Sequence, residues 1–165
     1  MKRVLVTGVI AVSQLVLAGV AVGPQLSARL TGDTYLVRVA PVDPIDPFRG
    51  AYVALDYPDL RHDDSQSSGS TGLGDLDDGE SGDLYVSLVE QEGVWVADAW
   101  SRERPDRGPY LACDDRSWQI RCGIESWFLP QDEAREAEEL LRDGAVAEVR
   151  VDSRGHAAVV DVRAP

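Results

Sequence analysis

Basic side chains are scarce in this chain of 165 residues: 16 lysines and arginines face 29 acids, a net charge of -13, and Lys2 is the only lysine. Everything beyond position 2 therefore lacks an amine for Schiff-base chemistry or a Ser-Lys dyad. Bulk charge of this sign argues against nucleic acid or anionic lipid headgroups as partners. Histidine is confined to His62 and His156, and cysteine to Cys113 and Cys122. Two thiolates without nearby imidazoles leave a tetrahedral zinc site two ligands short, so neither a metal nor a cofactor is expected. A Ser-His-Asp triad would need one of the two histidines. Ser126, in GIESWF, has Phe128 where a nucleophile elbow needs glycine.

Charge is also missing from the first part of the chain. Lys2 and Arg3 precede a run from Val4 to Val22 in which only Thr7, Ser13 and Gln14 are polar, and Pro24 marks the end of the helix-compatible stretch. A spanning helix needs about 20 apolar residues, against about 7–15 for the core of a cleavable signal. The run reads as an uncleaved anchor, although the small residues Gly19, Ala21 and Gly23 also suit a cleavage site. In either case the remainder is exported. The basic flank sets a cytoplasmic amino terminus, which makes this a single-pass protein of the cell membrane with its domain outside.

Residues 31–165 suffice for one compact domain and are too few for two. Cys113 and Cys122 are separated by turn-forming residues, and in an oxidising compartment that pattern reads as a disulfide across two adjacent antiparallel strands. So short a closed loop contributes about 2–3 kcal/mol in the chain-entropy picture. The stretch 61–82 holds six acids and one arginine and has almost no β-branched or aromatic residues, so it reads as a disordered acidic loop. Its Asp75, Asp77 and Gly79 do not fall on the spacing of an EF-hand loop.

Either side of that loop the period is two. Tyr35, Val37 and Val39 alternate in one strand, and Leu84, Val86 and Leu88 in another that turns through Gln91, Glu92 and Gly93 into VWVADAW. LPQDEAREAEELLRDG carries an apolar stripe of Ala134, Ala137, Leu140 and Leu141, with Arg142 in the last turn and Gly144 as the stop, which predicts a helix lying on a sheet. Residues 145–151 and 156–162 follow as two strands joined through DSRG. The expected fold class is α+β, mainly β: an N-terminal transmembrane helix (1–30), then one small antiparallel β-rich domain, an open sheet or partly closed barrel, with a single covering helix.

DPIDPFRGAYVALDY is the least ordinary segment. Pro44 and Pro47 fix their own φ and extend their neighbours, while Asp43 and Asp46 can accept backbone amides, so the residues before the strand form a stiff turn. Gly50 allows a close approach or an unusual backbone angle. On the strand that follows, Leu55 and Tyr57 share one face and point to the core, whereas Tyr52 takes the other. Tyr52 and Arg49 then form a packed aromatic-guanidinium pair or part of a surface that meets a partner. Asp43 and Asp46 read first as turn caps or as partners of Arg49.

PVDPIDPFRGAYVALDY, followed by CGIESWFLPQDEAREAEELLRDGAVAEVRVDSRGHAAVV, resembles the GDYXXLXY family of membrane-anchored bacterial proteins. The motif here is Gly50, Ala51, Tyr52, Leu55 and Tyr57, with Ala51 where the family has aspartate. Any activity that depends on that carboxylate would be missing from this chain. The resemblance implies an architecture and, because some members are encoded beside multi-pass membrane proteins, a partner of that kind; it implies no reaction.

Two function classes remain. The first is an accessory or binding module that uses Asp43, Asp46, Arg49, Gly50, Tyr52, Tyr57 and Glu125 toward a multi-pass membrane protein or an envelope component, with the lipid bilayer met through the helix. The second is an envelope glycan hydrolase in which Asp43 or Asp46 opposes Glu125 as a carboxylate pair. Glu125 is more simply a partner for Arg49 or Arg121. Four tryptophans, Trp95, Trp100, Trp118 and Trp127, can fill the core and leave one or two side chains for an interface. The accessory class is the expectation.

Overall fold

The computed structural model describes residues 2–41, 52–61, 81–116, 120–130, 134–142 and 144–165. The greater part of the acidic loop, with His62, lies outside the described residues. So do the prolyl turn, Ser117, Trp118 and Gln119.

The chain begins with a helix, α1 (Lys2–Thr31), which is long and apolar enough to cross a membrane. It does not stop at Pro24, where the sequence marks its end, but continues for two more turns. Proline removes one intrahelical donor and crowds the preceding turn, a cost of about 3 kcal/mol in an unsupported helix. Here the turns beyond it are held from outside. Ala28 is fully buried against the sheet, Gln25 Nε2 donates to the Gly123 carbonyl (2.8 Å) and Arg29 Nη2 to the Val159 carbonyl (2.9 Å). Arg150 reaches back to the carbonyls of Arg29 and Gly32, which the helix leaves without intrahelical partners.

Eight strands follow among the described residues, all antiparallel, in two sheets that do not close. They are β1 (Asp33–Pro41), β2 (Tyr52–Asp56), β3 (Asp83–Gln91), β4 (Val94–Ser101), β5 (Tyr110–Asp114), β6 (Ser126–Phe128), β7 (Ala145–Val151) and β8 (Ala157–Arg163). Five strands run in the order β6-β2-β1-β7-β8 and three in the order β4-β3-β5. The alternation read from the sequence decides which side chains go inside: Val37 and Val39 from β1 and Leu84, Val86 and Leu88 from β3 are all buried in one core shared by both sheets. The β3–β4 hairpin turns through Glu92 and Gly93, both at positive φ (54° and 85°), as a two-residue turn matched to strand twist requires. Across the sheets, Tyr35 of β1 meets Trp95 of β4 edge-on, with ring centroids 4.9 Å apart.

Helix α2 (Ala134–Arg142) lies on β1, β2 and β7 and buries Ala137 and Leu141, so it covers part of one sheet. The Cys113–Cys122 disulfide is formed. Cys113 lies on β5, and among the described residues the facing arm pairs with it through a single antiparallel bridge, Asp114 to Arg121.

The β7–β8 turn, residues 152–156, joins the sheets a second time. Gly155, at φ +82°, offers its carbonyl to the Ala112 N–H of β5 (2.9 Å), and the Ser153 carbonyl accepts the Tyr110 hydroxyl (3.1 Å). A Cβ on Gly155 would lie 2.5 Å from the Tyr110 ring and 2.8 Å from the Ala112 nitrogen. Gly155→Ala is therefore expected to lower stability by about 2–4 kcal/mol, from the positive φ and the forced contact together. Denaturant unfolding checks it: the midpoint should fall while the m-value stays.

Candidate functional site at the disulfide loop

The two segments that carry the family resemblance are far apart in the sequence and touch in the fold. Strand β2 pairs with β6 through Tyr52 with Phe128, Val53 with Trp127 and Ala54 with Ser126. One residue further, the Leu55 N–H donates to the Glu125 carbonyl (2.9 Å). Tyr57 is only 7% exposed, and its hydroxyl donates to the Ile124 carbonyl (2.7 Å). Burial first, and the Glu125 charge second, push this phenol far above its usual value. It is a permanent hydrogen-bond donor, not an acid-base group.

Glu125 is occupied by its own loop. Its carboxylate accepts the backbone N–H groups of Cys122 and of Gly123, the latter at 3.1 Å from both oxygens. These bonds, the disulfide and the Asp114–Arg121 bridge hold residues 121–125 in one conformation. The same loop gives its Gly123 carbonyl to Gln25, which ties the motif strand, the disulfide and the end of α1 into one hub.

Of the residues singled out in the sequence, the fold brings together Tyr57, Glu125, Cys113 and Cys122. Tyr52 opens β2 at the same place. Asp43, Asp46, Arg49 and Gly50 lie outside the described residues, and with them any pairing of Glu125 with Asp43, Asp46 or Arg49. Leu55 and Tyr57 are core residues, as their spacing implies. Among the described residues no group of three His, Cys, Asp or Glu side chains is placed to hold a metal ion.

A second cluster, not anticipated from the sequence, stands where α1 meets the β7–β8 turn. The Asp152 side chain is 2% exposed and accepts four hydrogen bonds: from Ser27 Oγ (2.5 Å), from the N–H groups of Arg154 (2.8 Å) and His156 (3.0 Å), and from His156 Nδ1 (3.0 Å). An ionised carboxylate can only accept, so Nδ1 carries the proton. Serine, aspartate and histidine are all present, but the serine bonds to the aspartate and not to the imidazole. A nucleophilic triad needs the histidine between the other two. This arrangement clamps a helix. The only sequence signal for it was DSRG, whose leading aspartate suits a turn that accepts the amide two residues on.

The family model for the GDYXXLXY protein matches residues 14–162. The chain belongs to the GDYXXLXY protein family. No curated protein and no solved structure matches it. In this member of the GDYXXLXY family the last two motif positions, Leu55 and Tyr57, serve the contact between β2 and the disulfide loop.

Two outcomes are expected. Tyr57→Phe leaves the buried Ile124 carbonyl without its donor and should cost about 1–2 kcal/mol, read as a lower unfolding midpoint with the disulfide intact. Burial by itself would raise the pKa of Asp152, but the bonds from Ser27, Arg154 and His156 outweigh it and hold it at about 2, below the ordinary 3.8. Its folded value is depressed, so its stabilisation, about 2 kcal/mol, is complete above pH 4 and lost as pH falls toward 2. Asp152→Asn should therefore destabilise the protein at pH 7, and the gap to wild type should narrow steadily as pH falls from about 4 through about 2 in denaturant titrations at each pH.

Proposed function

We propose that the protein is a single-pass membrane protein with a cytoplasmic amino terminus, and that its extracytoplasmic β-rich domain is an accessory module rather than an enzyme. Its partner is a multi-pass membrane protein or an envelope component, met by the surface around the prolyl turn, with Asp43, Asp46, Arg49, Gly50 and Tyr52. Lys2 and Arg3 ahead of the apolar run support the topology. The Cys113–Cys122 disulfide supports an oxidising compartment.

The observation that carries the reading is the junction between helix and domain. α1 enters the domain without a linker and is gripped at Gln25, Ser27, Ala28 and Arg29. A tethered enzyme acting on a diffusible or polymeric substrate gains from a flexible stalk. A module that must present one face to a neighbour in the same membrane gains from a fixed orientation, because ordering entropy is then spent on folding and not on binding. The engagement of Glu125 by its own loop amides weighs in the same direction, since a catalytic carboxylate has to be offered to substrate.

The test is crosslinking and co-purification from gently solubilised membranes with α1 retained. A multi-pass protein should co-purify with the wild type, and Arg49→Ala and Tyr52→Ala should each reduce its recovery at least severalfold without lowering the melting temperature. If both variants keep the partner and only melt earlier, the motif surface is structural and the proposal fails.

A further inference from the structure

The helix end poses a question that membrane anchoring does not answer: what covers its outer face. Ala28 is buried in the domain, whereas Leu26 and Leu30 are 50% and 70% exposed. At about 100° per residue, both leucines stand roughly 160° from Ala28 around the axis. The domain therefore grips one side of the last turns and leaves a leucine pair on the other. Val22 lies one turn before Leu26 on that side and is exposed as well, so the pair continues the apolar face of the upstream helix.

Length decides the level at which this face stands. From Val4 to Ala28, 25 residues carry no charge. At about 1.5 Å per residue that stretch is roughly 37 Å long, more than the hydrocarbon core of about 30 Å and less than the whole bilayer of about 40–45 Å. With Lys2 and Arg3 at the inner headgroups, the hydrocarbon ends near Pro24, and the two turns that follow stand in the outer headgroup layer. Those are the turns docked on the domain. Arg29 is exposed there, and Arg121, also exposed, is two residues from the Gly123 carbonyl that holds Gln25. Two arginines thus stand at the level of the lipid phosphates.

We infer that the domain rests directly on the outer bilayer surface, with lipid covering the Val22–Leu26–Leu30 face of α1 and phosphates meeting Arg29 and Arg121. The inference rests on the anchor proposed above and adds a contact surface to it. Because the junction is rigid, that contact sets one orientation of the domain on the membrane.

Full-length protein with its native disulfide, reconstituted in phosphatidylcholine nanodiscs, provides the test. Val16→Cys, Leu26→Cys and Leu30→Cys are labelled one at a time with an environment-sensitive fluorophore and quenched either by lipid spin-labelled near the headgroup or deep in the chain, or by aqueous iodide. Position 16 should respond to the deep lipid quencher. Positions 26 and 30 should respond to the shallow one and be shielded from iodide at least threefold relative to free label in buffer. If position 16 behaves so but 26 and 30 are quenched by iodide like free label, the anchor stands and the lipid contact is overturned. Shielding of 26 and 30 from lipid and iodide alike, with disulfide crosslinking between unlabelled copies at these positions, assigns the face to a second copy and also overturns it. Absence of lipid quenching at position 16 removes the anchor and the inference together.

Discussion

Asp152 is a carboxylate taken out of water, and the four hydrogen bonds that compensate it come from both sides of the junction between helix and domain. An unpaired charge at that depth would be costly enough to reshape the site. Satisfying it forces the β7–β8 turn into one conformation and draws Ser27 onto it. The shaped turn then directs the Gly155 and Ser153 carbonyls at β5, which belongs to the other sheet. One buried group thereby fixes the relation of helix, first sheet and second sheet, and the continuation of α1 past Pro24 follows from the same docking.

The disulfide loop also meets the end of the helix, through Gln25. Residues 121–125 are closed by a covalent bridge and by Glu125, and three of their carbonyls are shared between α1 and the motif segment: Gly123 to Gln25, Ile124 to Tyr57 and Glu125 to Leu55. The motif strand is thus attached to α1 through five residues. The last two positions of the GDYXXLXY signature, Leu55 and Tyr57, are struts of this hub.

Much of the architecture was legible in the chain. Alternation at Tyr35 to Val39 and at Leu84 to Leu88 placed β1 and β3, Glu92 and Gly93 placed a hairpin turn, and the Ala137–Leu141 stripe with Gly144 beyond it placed α2. Such signals are local, because a period or a turn residue needs only near neighbours to be read. Leu55 and Tyr57 were recognisable as core on the same grounds. The roles of Glu125, Gln25, Ser27 and Asp152 were not, since each bonds to a partner whose proximity depends on how distant strands pair. Pro24 was misread for the same reason: its local tendency is to end a helix, and the contacts that override it come from residues 123, 152 and 159.

The sequence by itself determined the apolar helix, the strands with their buried faces, the covering helix and the short covalent loop, because periodicity, charge distribution and cysteine spacing are properties of contiguous chain. Only the tertiary structure decided that the helix enters the domain without a hinge, that the motif strand is held by the disulfide loop and that a buried aspartate clamps the junction. Those outcomes depend on hydrogen bonds between residues about 70 to 130 positions apart, and a carboxylate or amide carries no mark in the chain of which distant donor or acceptor it will meet.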